Sequence, residues 1–483
     1  MIAASNRIVL VLFTMLLLAA TGLFAWFQEI YFLVLPLCIL ITLLLLQHPQ
    51  YLLYALMISI PWSIEYNFTP SLGTDLPDEP LMLLAALVAI ILLILNRNRL
   101  SAQQFLHPLV FIIILQFAWT GFTVFTSTEK LLSLKYLLAK GWYLLSFVVL
   151  PLFLFVDEKV LKKAACFLAF SMLAFMAYAL VSHSQYNWTF ERINDALDPF
   201  YRNHVNYSAL LVFTVPIQIA VIQLTTSRKL KAFFIFVFVV CLVALYFSYA
   251  RGAWLAFFIA IAGYWLIRQR LLFFSFFLFI FLTLGAVLWL RANNNYLRFS
   301  HDFKTTVFHT NFNEHLAATY NFKDASTAER FYRWVAGVRM AGDSWVTGLG
   351  PSSFYRQYRS YTQPAFKTWV SKNEEQSTVH NYFLLMLIEQ GAMGLLLFIA
   401  LLAALFWYAQ TIYHRTEDRF WKIVSASVAA LLLMECVINF LSDMIETDKA
   451  GAVFYLCVAV LVLADLKTRK AAPLTIIKSD HEH

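Results

Sequence analysis

Arg251, His380 and Arg202 stand where ionisable side chains are scarce, at the ends of long apolar stretches, and each could do chemistry there. Arg251 lies in Tyr249-Ala250-Arg251-Gly252-Ala253-Trp254, between two apolar runs with almost no loop, so its guanidinium must sit at a membrane interface or point into a helix bundle. A guanidinium in that position suits phosphate, because its planar fork gives bidentate contacts and it stays charged in a partly dry site. An arginine that snorkels and only marks a helix end is the alternative. His380 opens the stretch Val379-His380-Asn381-Tyr382, which runs on to Glu389, Gly391 and Gly394. An imidazole at a helix start can act as general base near neutral pH, or it can do no more than hydrogen-bond a loop. Upstream, segment 182–204 carries Glu191, Arg192, Asp195, Asp198, Arg202 and His204. Arg202, within a turn or two of the next apolar run, is the better second candidate, with Arg192 behind it; for either, a solvated loop charge is the plain alternative. Asp75, Asp78 and Glu79 could hold a divalent cation, yet acidic outer loops also arise for topological reasons, and no metal or cofactor is expected.

The elements that must position these residues follow from composition. The 483 residues are 61% hydrophobic, 17% aromatic and only 13% charged, more apolar surface than a water-soluble fold could hide. Apolar runs of about 18 to 20 residues recur, the length a helix needs to cross roughly 30 Å of hydrocarbon. About 14 candidate spans lie near 8–26, 31–47, 51–63, 80–95, 107–126, 141–156, 164–181, 205–224, 231–249, 253–267, 271–290, 380–409, 423–440 and 450–465. The run 51–63 is short enough to be re-entrant or tilted. The first run is expected to be an uncleaved span and not a signal peptide. The net charge of +8 is spread over short interhelical clusters and forms no basic stripe, so no nucleic-acid partner is expected. Cys38, Cys166, Cys241, Cys436 and Cys457 all fall inside apolar runs and read as small core residues.

Lys and Arg in short loops orient the chain. With the N-terminus inside, the inner segments collect Arg97, Arg99, Lys159, Lys162, Lys163, Arg228, Lys229, Lys231, Arg268, Arg270, Arg415, Arg419, Lys422 and a basic tail. Two outer loops, 64–79 and 441–449, are net acidic. The expected organisation is then N-terminal helices over 1–290, a long outer loop over 291–379, C-terminal helices over 380–466 and a cytoplasmic tail over 467–483. Within the long loop, Ser326-Thr327-Ala328-Glu329 is a capping-box pattern that opens an amphipathic helix, with Phe331, Trp334, Val335, Val338 and Met340 on or near one face. Gly348-Leu349-Gly350-Pro351 then breaks the chain. An ordered helical cap on the outer surface is expected.

These residues together resemble a family. His380-Asn381, nine residues, then Gly391-Ala392-Met393-Gly394 fits the motif H-[NSQ]-x9-G-x-x-[G/T/Y] of bacterial O-antigen ligases. Arg251-Gly252-Ala253-Trp254 and the Gly348–Pro351 turn look like the wider ligase and polymerase superfamily, and the order of parts is similar over residues 200 to 410. The resemblance implies an all-α, GT-C-like membrane glycosyltransferase, a polytopic bundle of about 12 to 14 spans with a partly helical periplasmic loop, in a bacterial inner membrane. It implies transfer of a glycan from an undecaprenyl diphosphate donor to an acceptor hydroxyl on the periplasmic face. The acceptor would be lipid A–core for a ligase, a lipid-linked repeat unit for a polymerase, or a protein Ser or Thr in related enzymes. His380 would be the base, and Arg251 with Arg202 or Arg192 would clamp the diphosphate without a metal. Asn381, Trp254, Gly350 and Arg333 would make further contacts to diphosphate or acceptor. A lipid-linked sugar transporter is the non-enzyme alternative, disfavoured because the charges gather at one face and no internal repeat is visible.

Overall fold

Apolar runs of spanning length must close their own backbone hydrogen bonds in a bilayer, and helices do so. The computed structural model describes residues 2–29, 47–69, 72–95, 102–299, 325–363 and 378–470, together with Phe32, Pro36, Leu45 and Phe366. The span expected near 31–47, and Arg97 and Arg99, fall outside the described residues. The helices are α1 (Ile2–Phe27), α2 (Gln50–Ser59), α3 (Asp78–Leu95), α4 (Pro108–Thr126), α5 (Lys130–Leu154), α6 (Glu158–Ser184), α7 (His204–Leu224), α8 (Arg228–Phe247), α9 (Arg251–Arg268) and α10 (Leu272–Arg291). Two shorter ones, α11 (Ala325–Asp343) and α12 (Phe354–Tyr361), precede α13 (Tyr382–Arg415), α14 (Arg419–Leu441) and α15 (Asp448–Lys470). Among the described residues ten helices are long and apolar enough to cross a membrane. The chain is an all-α polytopic membrane protein.

One element departs from the expected pattern. After α2 and a single 3-10 turn to Trp62, an antiparallel hairpin, β1 (Ile64–Thr69) with β2 (Leu72–Leu76), places Glu65 opposite Asp75 and Tyr66 opposite Thr74. The segment had been expected as a plain acidic loop. Its strict alternation, Ile64-Glu65-Tyr66-Asn67-Phe68-Thr69, is a strand period that a reading by hydropathy alone passes over.

The inter-loop contacts sort the helix ends into two rims. On one, Thr128 N donates to Leu349 O at 3.1 Å, Tyr249 OH to Trp188 O at 2.6 Å, Lys449 Nζ to Ser63 O at 3.0 Å and Tyr382 N to Ser442 O at 3.0 Å. On the other, Arg415 Nη2 meets Asp465 Oδ1 at 2.8 Å, Lys467 Nζ donates to Val156 O at 2.8 Å and Arg419 Nη2 to Gln223 O at 3.0 Å. The expected outer ends that take part in these contacts bond to one another, and so do the expected inner ends.

The long helix α13 is broken at Gly391, whose φ of 68° and ψ of −172° are open to glycine and not to residues with a Cβ. A Cβ there would fall 2.1 Å from Val346 O, so Gly391→Ala should cost about 2 kcal/mol or more through strain alone. Gly342, near the end of α11, has open space around it, and Gly342→Ala should leave stability unchanged or raise it. Thermal unfolding of the two detergent-solubilised variants checks this: the first should melt several degrees below the second, and equal melting would contradict the account of the break.

Candidate active site

Small residues bring the site together. Along α9 the buried positions Ala253, Ala256, Ala260 and Gly263 form a stripe at helical spacing, which lets α9 lie close against α14, as small-residue faces do in membranes. A Cβ on Gly263 would come 2.2 Å from Leu433 Cδ1, and one on Gly252 would come 3.3 Å from Leu441 Cδ1. The first turn of α9, which carries Arg251, is therefore held beside the last turn of α14. Two residues past Leu441 the chain reaches Asp443, whose Oδ1 lies 4.0 Å from His380 Nδ1. Arg251 and His380 thus share one rim, tied through the end of α14.

His380 itself is fixed from both sides in sequence. Asn381 caps α13, its Oδ1 accepting from Leu384 N at 2.9 Å while its Nδ2 donates to Phe440 O at 3.0 Å. His380 has φ of 52°, a left-handed conformation costly for a side chain with a Cβ, and the flanking bonds of Asn381 and Tyr382 to the end of α14 hold it there. Burial chiefly, and then the guanidinium groups of Arg330 and Arg333, push the imidazole pKa down to about 3. The ring is neutral at pH 7 and can accept a proton. Burial also pushes the Asp443 carboxyl up to about 6, with a Thr378 hydrogen bond acting against it and Glu446 adding to it.

The cap helix α11 lies over this point, and of the face expected for it only Met340 is fully buried. Val338 is 42% exposed, and Phe331, Trp334 and Val335 are half-buried; the buried face runs through Ala328, Glu329, Tyr332, Arg333, Ala336, Gly337, Met340 and Ala341. Small residues permit close approach: a Cβ on Gly337 would come 2.9 Å from Ile388 Cδ1. Arg333 can be buried because it is satisfied, with Nε donating to Glu329 Oε1 at 3.2 Å, Nη1 to Thr378 O at 2.9 Å and its guanidinium 5.5 Å from the Tyr358 ring centre.

Arg202 forms a two-pronged ion pair with Glu65 of the hairpin, and Arg192 pairs with Asp195 at 2.8 Å on the surface. Beside Arg202, Lys449 donates to Phe200 O at 2.7 Å and sits 3.7 Å from the Tyr201 ring centre. Trp254 packs its ring 6.1 Å from those of Phe257 and Phe258 on its own helix. Gly350 is a close-approach position: its φ is 101°, and a Cβ would fall 2.0 Å from Ser127 Oγ. Asp75, Asp78 and Glu79 are engaged locally, with Ser63 Oγ donating to Asp78 Oδ1 at 2.5 Å and Thr74 Oγ1 to Glu79 Oε2 at 2.5 Å. Among the described residues no group of three His, Cys, Asp or Glu side chains is arranged to hold a metal ion.

The sequence reading missed the carboxylates of the α14–α15 turn. Besides Asp443, Glu446 accepts from Tyr136 OH at 2.8 Å and lies 3.5 Å from Lys140 Nζ. Their signal was present, an acidic turn between two apolar helices, but it was credited to topology.

Residues 236–399, roughly a third of the chain, match the family model described as O-antigen ligase. Over this stretch the chain is similar to the O-antigen ligase family. No curated protein matches the chain. The matched region takes in Arg251, the cap helix, His380, Asn381 and the Gly391 break; Arg192, Arg202 and Asp443 lie outside it.

Because Glu329 is buried at 6% exposure and Arg333 at 3%, removing the arginine alone leaves a buried carboxylate. Arg333→Met should destabilise the protein by about 3–5 kcal/mol, and adding Glu329→Gln should recover a large part of that loss. A melting series on the single and double variants reads this out, and a double variant no more stable than the single one would refute the pairing argument.

Proposed function

We propose that the chain transfers a glycan from a polyprenyl diphosphate to an acceptor hydroxyl at the rim where Arg251 and His380 meet. What carries this reading is the 4.0 Å approach of His380 to Asp443 beside the first turn of α9, inside a membrane bundle. The family match over residues 236–399 supports an O-antigen ligase or polymerase type of activity, with lipid-linked glycans as substrates.

In such a donor the anomeric carbon is already bonded to a good leaving group, so the protein must activate the acceptor and hold the diphosphate. Asp443 faces Nδ1 of His380 and favours the tautomer with a proton on that nitrogen, leaving Nε2 as the base. Nε2 takes the acceptor's hydroxyl proton as that oxygen attacks the anomeric carbon from the side opposite the diphosphate. The new glycosidic bond forms with inversion, and the lipid diphosphate leaves with the electron pair. Arg251 and Arg330 hold the departing diphosphate, whose charge grows as the bond breaks. Arg202, forked onto Glu65, serves instead to hold the hairpin against the rim. The apolar faces between helices take the polyprenyl tail. The rim faces the periplasm of a bacterial inner membrane. The acceptor is lipid A–core if the enzyme is a ligase, and a second lipid-linked repeat if it is a polymerase.

Three measurements test this. In a strain lacking the gene, glycans separated by size should show long lipid-linked polymer for a ligase and single repeats for a polymerase; unchanged profiles would end the reading. His380→Ala should lower transfer by roughly 10²–10⁴-fold and Arg251→Lys by roughly 10²-fold despite the retained charge, with membrane insertion intact. Near-normal transfer in either variant would remove that residue from its role. With the imidazole held neutral and the Asp443 carboxyl near 6, transfer should stay level from pH 8 down to the mid-sixes. It should then fall as Asp443 takes a proton, because a neutral carboxyl no longer stabilises the imidazolium. Asp443→Asn should be slow throughout and lack that fall; an acid limb surviving in this variant would assign it to another group.

A further inference from the structure

On the rim opposite the site, two consecutive lysines of α6 each stand at the mouth of a separate apolar slot. Lys162 lines a long apolar cavity between α6, α7, α14 and α15. Lys163 lines a shorter groove between α2 and α6. Successive residues on a helix point about 100° apart, so one lysine serves each slot. Cys166, one turn further on, lines both, which makes α6 a thin ridge between them. The larger slot is apolar apart from Lys162, Thr225 and Ser427, and it reaches from Phe420 to Leu431 along α14. At 1.5 Å per residue that is a depth of roughly 16 Å, close to the hydrocarbon of one leaflet, half of roughly 30 Å.

The charges at the mouth favour an anion. Glu158 lies 3.9 Å from Lys162 and 3.5 Å from Lys467. On the same two helix starts Asp157, Glu158, Glu417 and Asp418 stand with Lys159, Lys162, Lys163, Arg419 and Lys422, and Lys467 adds a sixth cation, an excess of two positive charges. Lys162 also lies 4.3 Å from the Phe420 ring centre, which holds its ammonium over the slot entrance. We infer that the ridge at Cys166 is a binding site for an anionic two-chain phospholipid of the leaflet opposite the catalytic rim, with the phosphate on Lys162 and Lys163 and one acyl chain in each slot. One slot of leaflet depth and a shallower one of roughly 10 Å, from Lys163 to Phe170, sharing one basic mouth fit a diacyl lipid. A single-tailed polyprenyl diphosphate whose head lies at the other rim does not match this arrangement.

The test uses the full-length protein in detergent and phosphatidylglycerol against phosphatidylcholine of the same chains, with retained lipid read by native mass spectrometry. Phosphatidylglycerol should be retained in preference, and Lys162→Gln/Lys163→Gln should weaken its binding by roughly 30-fold, as expected for two lysines at a membrane surface. Ala165→Trp, which fills the larger slot, should abolish retention of both lipids in a protein that still runs as a single species. Equal retention of the two lipids, unchanged phosphatidylglycerol binding in the double glutamine variant, or competitive displacement by polyprenyl phosphate would each overturn the assignment. Because both glutamines replace surface side chains, the result does not depend on the filled variant folding.

Discussion

The arrangement rests on one exchange of backbone hydrogen bonds. Where α13 breaks at Gly391, the carbonyls of the preceding turn lose their helical partners, and buried carbonyls must find others. The Gly348–Pro351 turn supplies them: Leu349 N donates to Ile388 O at 2.9 Å and Gly350 N to Glu389 O at 2.9 Å, while Trp119 Nε1 reaches Gln390 O at 2.8 Å. Ala392 N, beyond the break, donates to Trp345 O at 2.7 Å. The helix answers through the Glu389 carboxylate, which accepts from Ser352 N at 2.9 Å and Phe354 N at 3.1 Å and so caps α12. Loop and helix each complete the other. The approach is close enough to demand glycine on both sides, since a Cβ on Gly348 would fall 2.4 Å from Glu389 O.

The cap follows from that joint. With Trp345 to Phe354 fastened to α13, the preceding helix α11 has little freedom except to lie along the first turns of α13. There its small residues and the Glu329–Arg333 pair meet Thr378 and Ile388. The same joint is tied to the first turn of α5, where Ser133 Oγ donates to Pro351 O at 2.6 Å. The chemistry-bearing residues, by contrast, come from α9, α13 and the α14–α15 turn. Their meeting depends on a second contact of the same physical kind, the small-residue stripe of α9 on α14.

Much of this was legible in the sequence, for identifiable reasons. Ionisable residues at the ends of apolar runs are conspicuous because lipid penalises them, and so Arg251 and His380 stand out as candidates from the sequence alone. The Gly391 break was visible as a motif glycine but not as a break, since nothing in a run of apolar residues says which carbonyls will be claimed by a distant loop. The buried face of α11 was misjudged because side-chain size was taken as the signal. In this chain large apolar residues are ordinary, and the close contact is made by Ala328, Ala336 and Gly337 with a buried ion pair. Asp443 was hidden because an acidic turn on the expected outer face already had a topological explanation. Arg202 drew attention for its nearness to α7; what the sequence could not show is that Glu65, more than a hundred residues away, would take it.

The two rims use buried charge in opposite ways, and the difference bears on mechanism. On the rim away from the site, one carboxylate, Asp465, is enclosed by His107 at 3.2 Å, Arg415 at 2.8 Å and Arg469 at 2.8 Å, an arrangement in which cations meet their carboxylate directly and tie three helices. At the site rim burial is the main cause that lowers the His380 pKa, and the positive field of Arg330 and Arg333 lowers it further. Such a field weakens a base, and a base so weakened is a poor catalyst at neutral pH. On the proposed reading the conflict resolves when the donor binds. A diphosphate carries negative charge into the field of those guanidinium groups, offsets it at His380 and raises the basicity of the ring as the reaction requires it. The base is then strongest with the donor in place, so the same arginines that hold the leaving group also set when the acceptor can be deprotonated.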